Sequence, residues 1–170
     1  MSARSIRAAL AAGLVTTVGV GAFLIGQPGS HAASGVLRLD ARDAQQKFVN
    51  IGAGGLSLGD RYVFSDNIFQ RNETTRIGRS AAVCEVTYVA QDSNGHVTNA
   101  LELCTATFVL PHGTITASGT ATKKERGATL AITGGTGRYD GAQGTFETQP
   151  AGQHSQTWTF NFSDDRFALL

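Results

Sequence analysis

LAITGGTGRYDGAQGTF, residues 130–146, reads as strand, glycine corner, strand. Leu130, Ala131, Ile132 and Thr133 form a short apolar, β-branched run of the kind that packs on a pleated surface. Gly134, Gly135 and Gly137 then supply positions where positive φ costs nothing, and Gly141 and Gly144 flank the return to extended chain at Thr145 and Phe146. Two nucleotide-binding readings fail here. A dinucleotide fingerprint needs a third glycine where Asp140 stands, and it needs a following helix to aim at a phosphate. A P-loop needs Gly-Lys-Ser/Thr, and no lysine follows.

Outward from this corner, strand patterns recur at 35–41, 60–69, 81–90, 97–110, 113–122, 128–133, 142–148 and 155–162. Most are joined by short turns rich in Gly, Asn, Asp and Pro. Segment 113–122 shows the period of two, with Thr114, Thr116, Ser118, Thr120 and Thr122 against Ile115, Ala117, Gly119 and Ala121. Segment 155–162 repeats it with Trp158, Phe160 and Phe162 against Thr157, Thr159 and Asn161. The spacing predicts an all-β fold, a closed eight-stranded antiparallel barrel or a sandwich, and eight strands suffice for a barrel that holds one small ligand. Residues 42–58 read as one long irregular connection, of a length that often lies over a site.

The first 32 residues read as an export signal. Arg4 and Arg7 form the basic start, residues 8–25 are apolar and acid-free, and Ser30-His31-Ala32 offers small residues for cleavage before Ala33. The expected mature chain is one secreted domain, 33–170, with no membrane partner after cleavage. It keeps all 13 acidic residues and 12 of 14 basic ones, so its formal charge becomes −1. A near-neutral surface argues against a nucleic-acid partner.

Cys84 and Cys104 lie in two strand patterns separated by Asp92-Ser93-Asn94-Gly95-His96, and Asn-Gly between alternating runs is a hairpin signal. With a loop at 93–95, Asp92 faces His96 and the same register sets Cys84 opposite Cys104. In an exported chain the expected state of this pair is a disulfide between neighbouring strands, the alternative being two thiols in a pocket.

LAITGGTGRY-GA-G, in residues 130–144, resembles the signature of the allene oxide cyclase barrel and dirigent-like proteins. SLGDRYVFSDNIF, 57–69, is similar to that family's second-strand motif, and GRSAAVCEV, 78–86, to the segment bearing its pocket cysteine. The resemblance covers about 56–162. It implies a barrel that folds a reactive apolar molecule into one conformation, with no cofactor, and it admits a homo-oligomer. It also implies that Cys84 faces inward and that Asp66 stands where the cyclases carry a pocket asparagine. The family's first-strand glutamate and asparagine, its pocket proline and a later tyrosine have no counterpart, so allene oxide cyclase activity itself is not expected.

With Cys84 inward, Val86 and Tyr88 share its face, and the hairpin register adds Glu102 and Cys104. Tyr62, Phe64, Asp66 and Ile68 share a parity on the second strand. Asp66 and Glu102 are therefore the candidate acid–base residues, desolvated carboxyls able to give or take a proton. Tyr62, Cys84, Val86, Tyr88 and Trp158 are the candidate ligand contacts. The alternative sets both acids outward or paired with Arg38, Arg61 or Arg79. No metal site is expected, because His96, His112 and His154 all fall at predicted turns. Three functions fit: a cofactor-free cyclase or isomerase, a non-catalytic carrier or dirigent-type template, and an exported interaction protein with a filled barrel.

Overall fold

The computed structural model describes residues 34–170 apart from Ala53 and Arg126; the predicted leader lies outside the described residues. Eight strands follow in order: β1 Gly35–Val49, β2 Arg61–Gln70, β3 Arg76–Gln91, β4 Val97–Leu110, β5 Gly113–Thr122, β6 Thr129–Gly135, β7 Gly144–Gly152 and β8 Ser155–Phe162. Each pairs antiparallel with the next, and β8 returns to β1, so the sheet closes into a barrel. The predicted closed eight-stranded barrel is the observed one, and the bounds of β4, β5 and β8 are those the alternation predicts.

The glycine corner closes one end. Gly137 takes φ 62°, and a Cβ there would run into the His112 carbonyl of the β4–β5 turn. Arg138 N–H donates to that same carbonyl at 2.9 Å. Gly144, at φ 142°, lies against the Asn161 carbonyl with no room for a side chain. Between these contacts Tyr139 is fully buried, its ring 6.3 Å from Phe162, and Phe167 packs on Phe162 from below. Phe108, Phe146, Trp158 and Phe160 continue the filling inward, with Phe108 and Phe146 centroids 4.5 Å apart. Burial of so many rings makes this half the chief source of hydrophobic stability.

The other end is looser. β1 pairs with β8 only as far as Arg42↔Ser155, yet it continues along β2 to Val49↔Arg61. The expected irregular connection from residue 42 is thus half strand. Its ARDAQQKFV sequence shows no clean alternation because a bulge at Ala44 reverses the parity and the ribbon is mostly solvent-exposed. Beyond it, Asp60 has no solvent exposure and accepts N–H bonds from Ile51 (2.8 Å) and Ser57 (2.7 Å). Those bonds hold the carboxyl below the usual carboxylate range and tie residues 50–59 across this end.

The β3–β4 hairpin pairs Cys84 with Cys104 as the turn predicts. Two bulges follow, one extra residue at Thr87 on β3 and one at Thr98 on β4, so the offsets cancel and Gln91 meets Val97. Each bulge threonine donates its hydroxyl across the hairpin, Thr87 to the Leu101 carbonyl and Thr98 to the Ala90 carbonyl.

Candidate functional site

The inward positions of β2 to β5 fall into transverse rows. Phe64, Ala82, Ala106 and Ala117 form one row, and Ala82 and Ala106 leave space where larger side chains would meet. The result is a cavity of about 130 Å³, walled by Phe64, Ala82, Ala106, Leu130, Phe146 and Trp158. Its polar residues are few: Asp66, Ser80, Thr105, Thr148 and Gln156. A second hollow of about 120 Å³ adjoins it where β1 leaves β8 and shares Phe64, Asp66 and Gln156 with it. Asp43, Gln45 and Gln46 complete this outer hollow, so Asp66 stands at the junction between cavity and exit.

Asp66 is 5% exposed. Ser80 Oγ donates to its Oδ2 at 2.8 Å and accepts from its backbone N–H at 2.9 Å. Desolvation pushes the Asp66 carboxyl up, the Ser80 hydrogen bond partly offsets this, and the charge of Asp43, opposite it on β1, pushes it further up. Asp43 in turn lies 3.2 Å from His154 Nδ1 at the surface. The arrangement is a protonatable acid in an apolar chamber, with a chain of titratable groups leading outward.

Glu102 also points inward and is half-buried, with its carboxyl raised by desolvation and lowered by Lys123. It sits two rows nearer the mouth than the alanines and does not wall the cavity. Tyr62 occupies the intervening row beside Cys84, 4.8 Å from the Phe48 ring. Its hydroxyl is raised by desolvation and by the charges of Glu102 and Asp60. Val86 is buried in the Glu102 row, its N–H donated to the Asp60 carbonyl, away from the cavity. Trp158 is a cavity wall, with Nε1–H donated to Gln156 Oε1 at 3.1 Å.

One expectation requires correction. Tyr88 does not share the face of Cys84 and Val86: the Thr87 bulge reverses the parity and leaves it 54% exposed. The expected Cys84–Cys104 disulfide is present and lies in the cavity wall, so the alternative of two thiols in a pocket falls and Cys84 offers no thiol in this state. Neither candidate acid joins an arginine; among the described residues the arginine ion pairs are Arg61–Glu85, Arg71–Asp40 and Arg166–Asp164. Ser80, Gln156, Asp43 and the alanine row escaped the sequence reading. Ser80 and Gln156 were findable by parity, since they share a face with Cys84 and with Trp158.

A family model, the allene oxide cyclase barrel-like domain, matches residues 37–161. The chain belongs to that family. Among solved structures the barrel is similar to a pyocyanin demethylase, at 25% identity and TM-score 0.65 over 75% of this chain and 98% of that one. It is also similar to the Diels–Alderase AbmU from Streptomyces koyangensis, at 17% identity and TM-score 0.60 over 79% and 70%. A pterocarpan synthase dirigent protein shares 13% identity and TM-score 0.57 over 76% and 93%. The last two likenesses are of fold. No curated protein matches the sequence.

Proposed function

We propose that this is an exported allene oxide cyclase-like barrel that binds an apolar, unsaturated small molecule and promotes its isomerisation or cyclisation through Asp66. The observation that carries the reading is the buried Asp66 carboxyl, held by Ser80 in an otherwise apolar cavity. Acids are seldom buried without a partner charge, and desolvation, which raises this carboxyl, favours the protonated form that can deliver a proton. In an isomerisation the same carboxyl gives one proton and recovers one, so the step balances without a co-reactant. The cavity of about 130 Å³ takes roughly one six-membered ring or the end of an unsaturated chain. The rest of a larger ligand extends into the outer hollow towards Asp43 and Gln46. Relatives named for demethylation, cycloaddition and dirigent action support small-molecule chemistry on this fold. Glu102, two rows nearer the mouth and outside both hollows, is the second candidate proton-transfer group, for a ligand long enough to reach it. Export rests on the leader's basic start, apolar run and small-residue cleavage site.

A binding-only template is the second reading, favoured by the aromatic cavity wall and the small number of polar groups within it. Native mass spectrometry of the protein from its producing host identifies the bound metabolite, and turnover of that metabolite separates the two. Asp66→Asn is expected to keep the ligand and lose turnover by about 10²–10⁴-fold. Full turnover in Asp66→Asn and Glu102→Gln alike overturns the catalytic assignment.

A further inference from the structure

We propose that Cys84, Cys104 and Glu102 constitute a zinc site that the disulfide closes and that a dithiol reductant opens. The two Sγ atoms and a Glu102 carboxylate oxygen all lie within 4.8 Å of one another on the inner face of β3 and β4. This juxtaposition follows from register. Cys84 and Cys104 are directly opposed, and Glu102 lies two residues from Cys104 on the same face. Tetrahedral zinc, with Zn–S near 2.3 Å, places two thiolate sulfurs about 3.8 Å apart, within reach of opposed cysteines by side-chain rotation alone. Glu102 then supplies the oxygen ligand, and the fourth position is left open towards the barrel interior, the ligand count of a catalytic rather than a structural zinc.

The chemistry balances. The dithiol gives two electrons and two protons to the S–S bond and becomes a disulfide itself. Zn²⁺ then displaces both thiol protons and binds the two thiolates. Two thiolates and a carboxylate carry three negative charges, the ion returns two positive ones, and Lys123, whose charge already acts on Glu102, offsets the remainder. Both sulfurs are nearly excluded from solvent, which favours soft ligation over hydrated hard cations. Oxidised and metal-loaded states are mutually exclusive, so the same wall of the cavity is either cross-linked and neutral or open and charged.

Cobalt(II) is the probe. The full chain is reduced with a phosphine under anaerobic conditions and titrated with Co²⁺, then with Zn²⁺, while thiolate-to-cobalt charge-transfer and tetrahedral d–d absorption are followed. The expected result is one equivalent of Co²⁺, displaced by Zn²⁺, in the reduced protein and none in the oxidised protein. Cys84→Ser and Cys104→Ser each lose the charge-transfer band or most of it, and Glu102→Gln weakens binding about tenfold or more. Absence of the bands in the reduced protein overturns the proposal. So does equal affinity in Glu102→Gln, because thiols of a chain loosened by reduction bind cobalt without regard to that carboxylate.

Discussion

Ala106→Leu tests whether the alanine row encloses real space. At about 24 cal/mol per Å³, an unfilled cavity of about 130 Å³ costs roughly 3 kcal/mol, which is the ceiling on what filling it can return. Leucine adds three carbons at about 0.8 kcal/mol each when buried, or roughly 2.4 kcal/mol, less the rotamer entropy lost on burial. A net stabilisation of about 1–2 kcal/mol is therefore expected. If instead the opposing Phe146 and Trp158 already close the gap, the added carbons overpack the core and cost about 1–3 kcal/mol. The two cases differ in sign. Urea denaturation at constant m-value gives the stability change, and NMR titration with benzene or indole reports occupancy of the cavity in the wild type and its loss in the variant. Destabilisation beyond about 1 kcal/mol, or an undiminished probe shift, refutes the cavity argument.

Asp66→Asn should also report through pH. The folded pKa of Asp66 is raised, so its stabilising contribution is complete below the ordinary value of 3.8 and is lost as pH rises through the raised value. Burial disfavours the ionised carboxyl and leaves a neutral amide untouched, so near pH 7 the asparagine variant is at least as stable as the wild type by thermal melt. Asp60 behaves oppositely: its lowered pKa gives stability present above 3.8 and lost as pH falls through the folded value. Asp60→Asn should flatten that acid limb, and proteolysis within residues 50–59 should accelerate. Tyr139 Oη is buried without a hydrogen-bond partner among the described residues, so Tyr139→Phe is expected to leave stability unchanged or raise it by about 1 kcal/mol, a change of roughly 3 °C in Tm. A loss above about 1 kcal/mol would point to a partner for that hydroxyl.

The barrel was legible wherever one face is buried and the other wet. β5 and β8 alternate strictly, and their bounds follow from that alternation. The corner at 134–144 was legible because only glycine tolerates its φ values and close backbone contacts. Legibility failed at two bulges. Ala44 hides the second half of β1, since one extra residue turns an alternating strand into an unpatterned polar run. Thr87 hides the outward turn of Tyr88, because parity counted from Cys84 breaks at a residue whose own identity gives no warning. At the site, Asp66 was readable from parity and family resemblance together. The cavity was not, because it arises where Ala82 and Ala106 of neighbouring strands meet in one row, a coincidence of register that no single segment displays.

Among the described residues, the departure of β1 from β8 after Arg42 leaves one flank of residues 45–49 without a strand partner on that side. Such a margin exposes amide and carbonyl groups to any passing extended chain, the usual seed of sheet-to-sheet association. Here the kink at Ala44 and the cation of Lys47 make the margin short, bent and charged, a poor template for adding a strand. Replacing Lys47 with valine would remove the charge from that margin, and the first consequence to appear would be self-association rather than unfolding. Under the proposed function, the gap through which a ligand would enter and the margin that must repel neighbours are thus the same short run of chain.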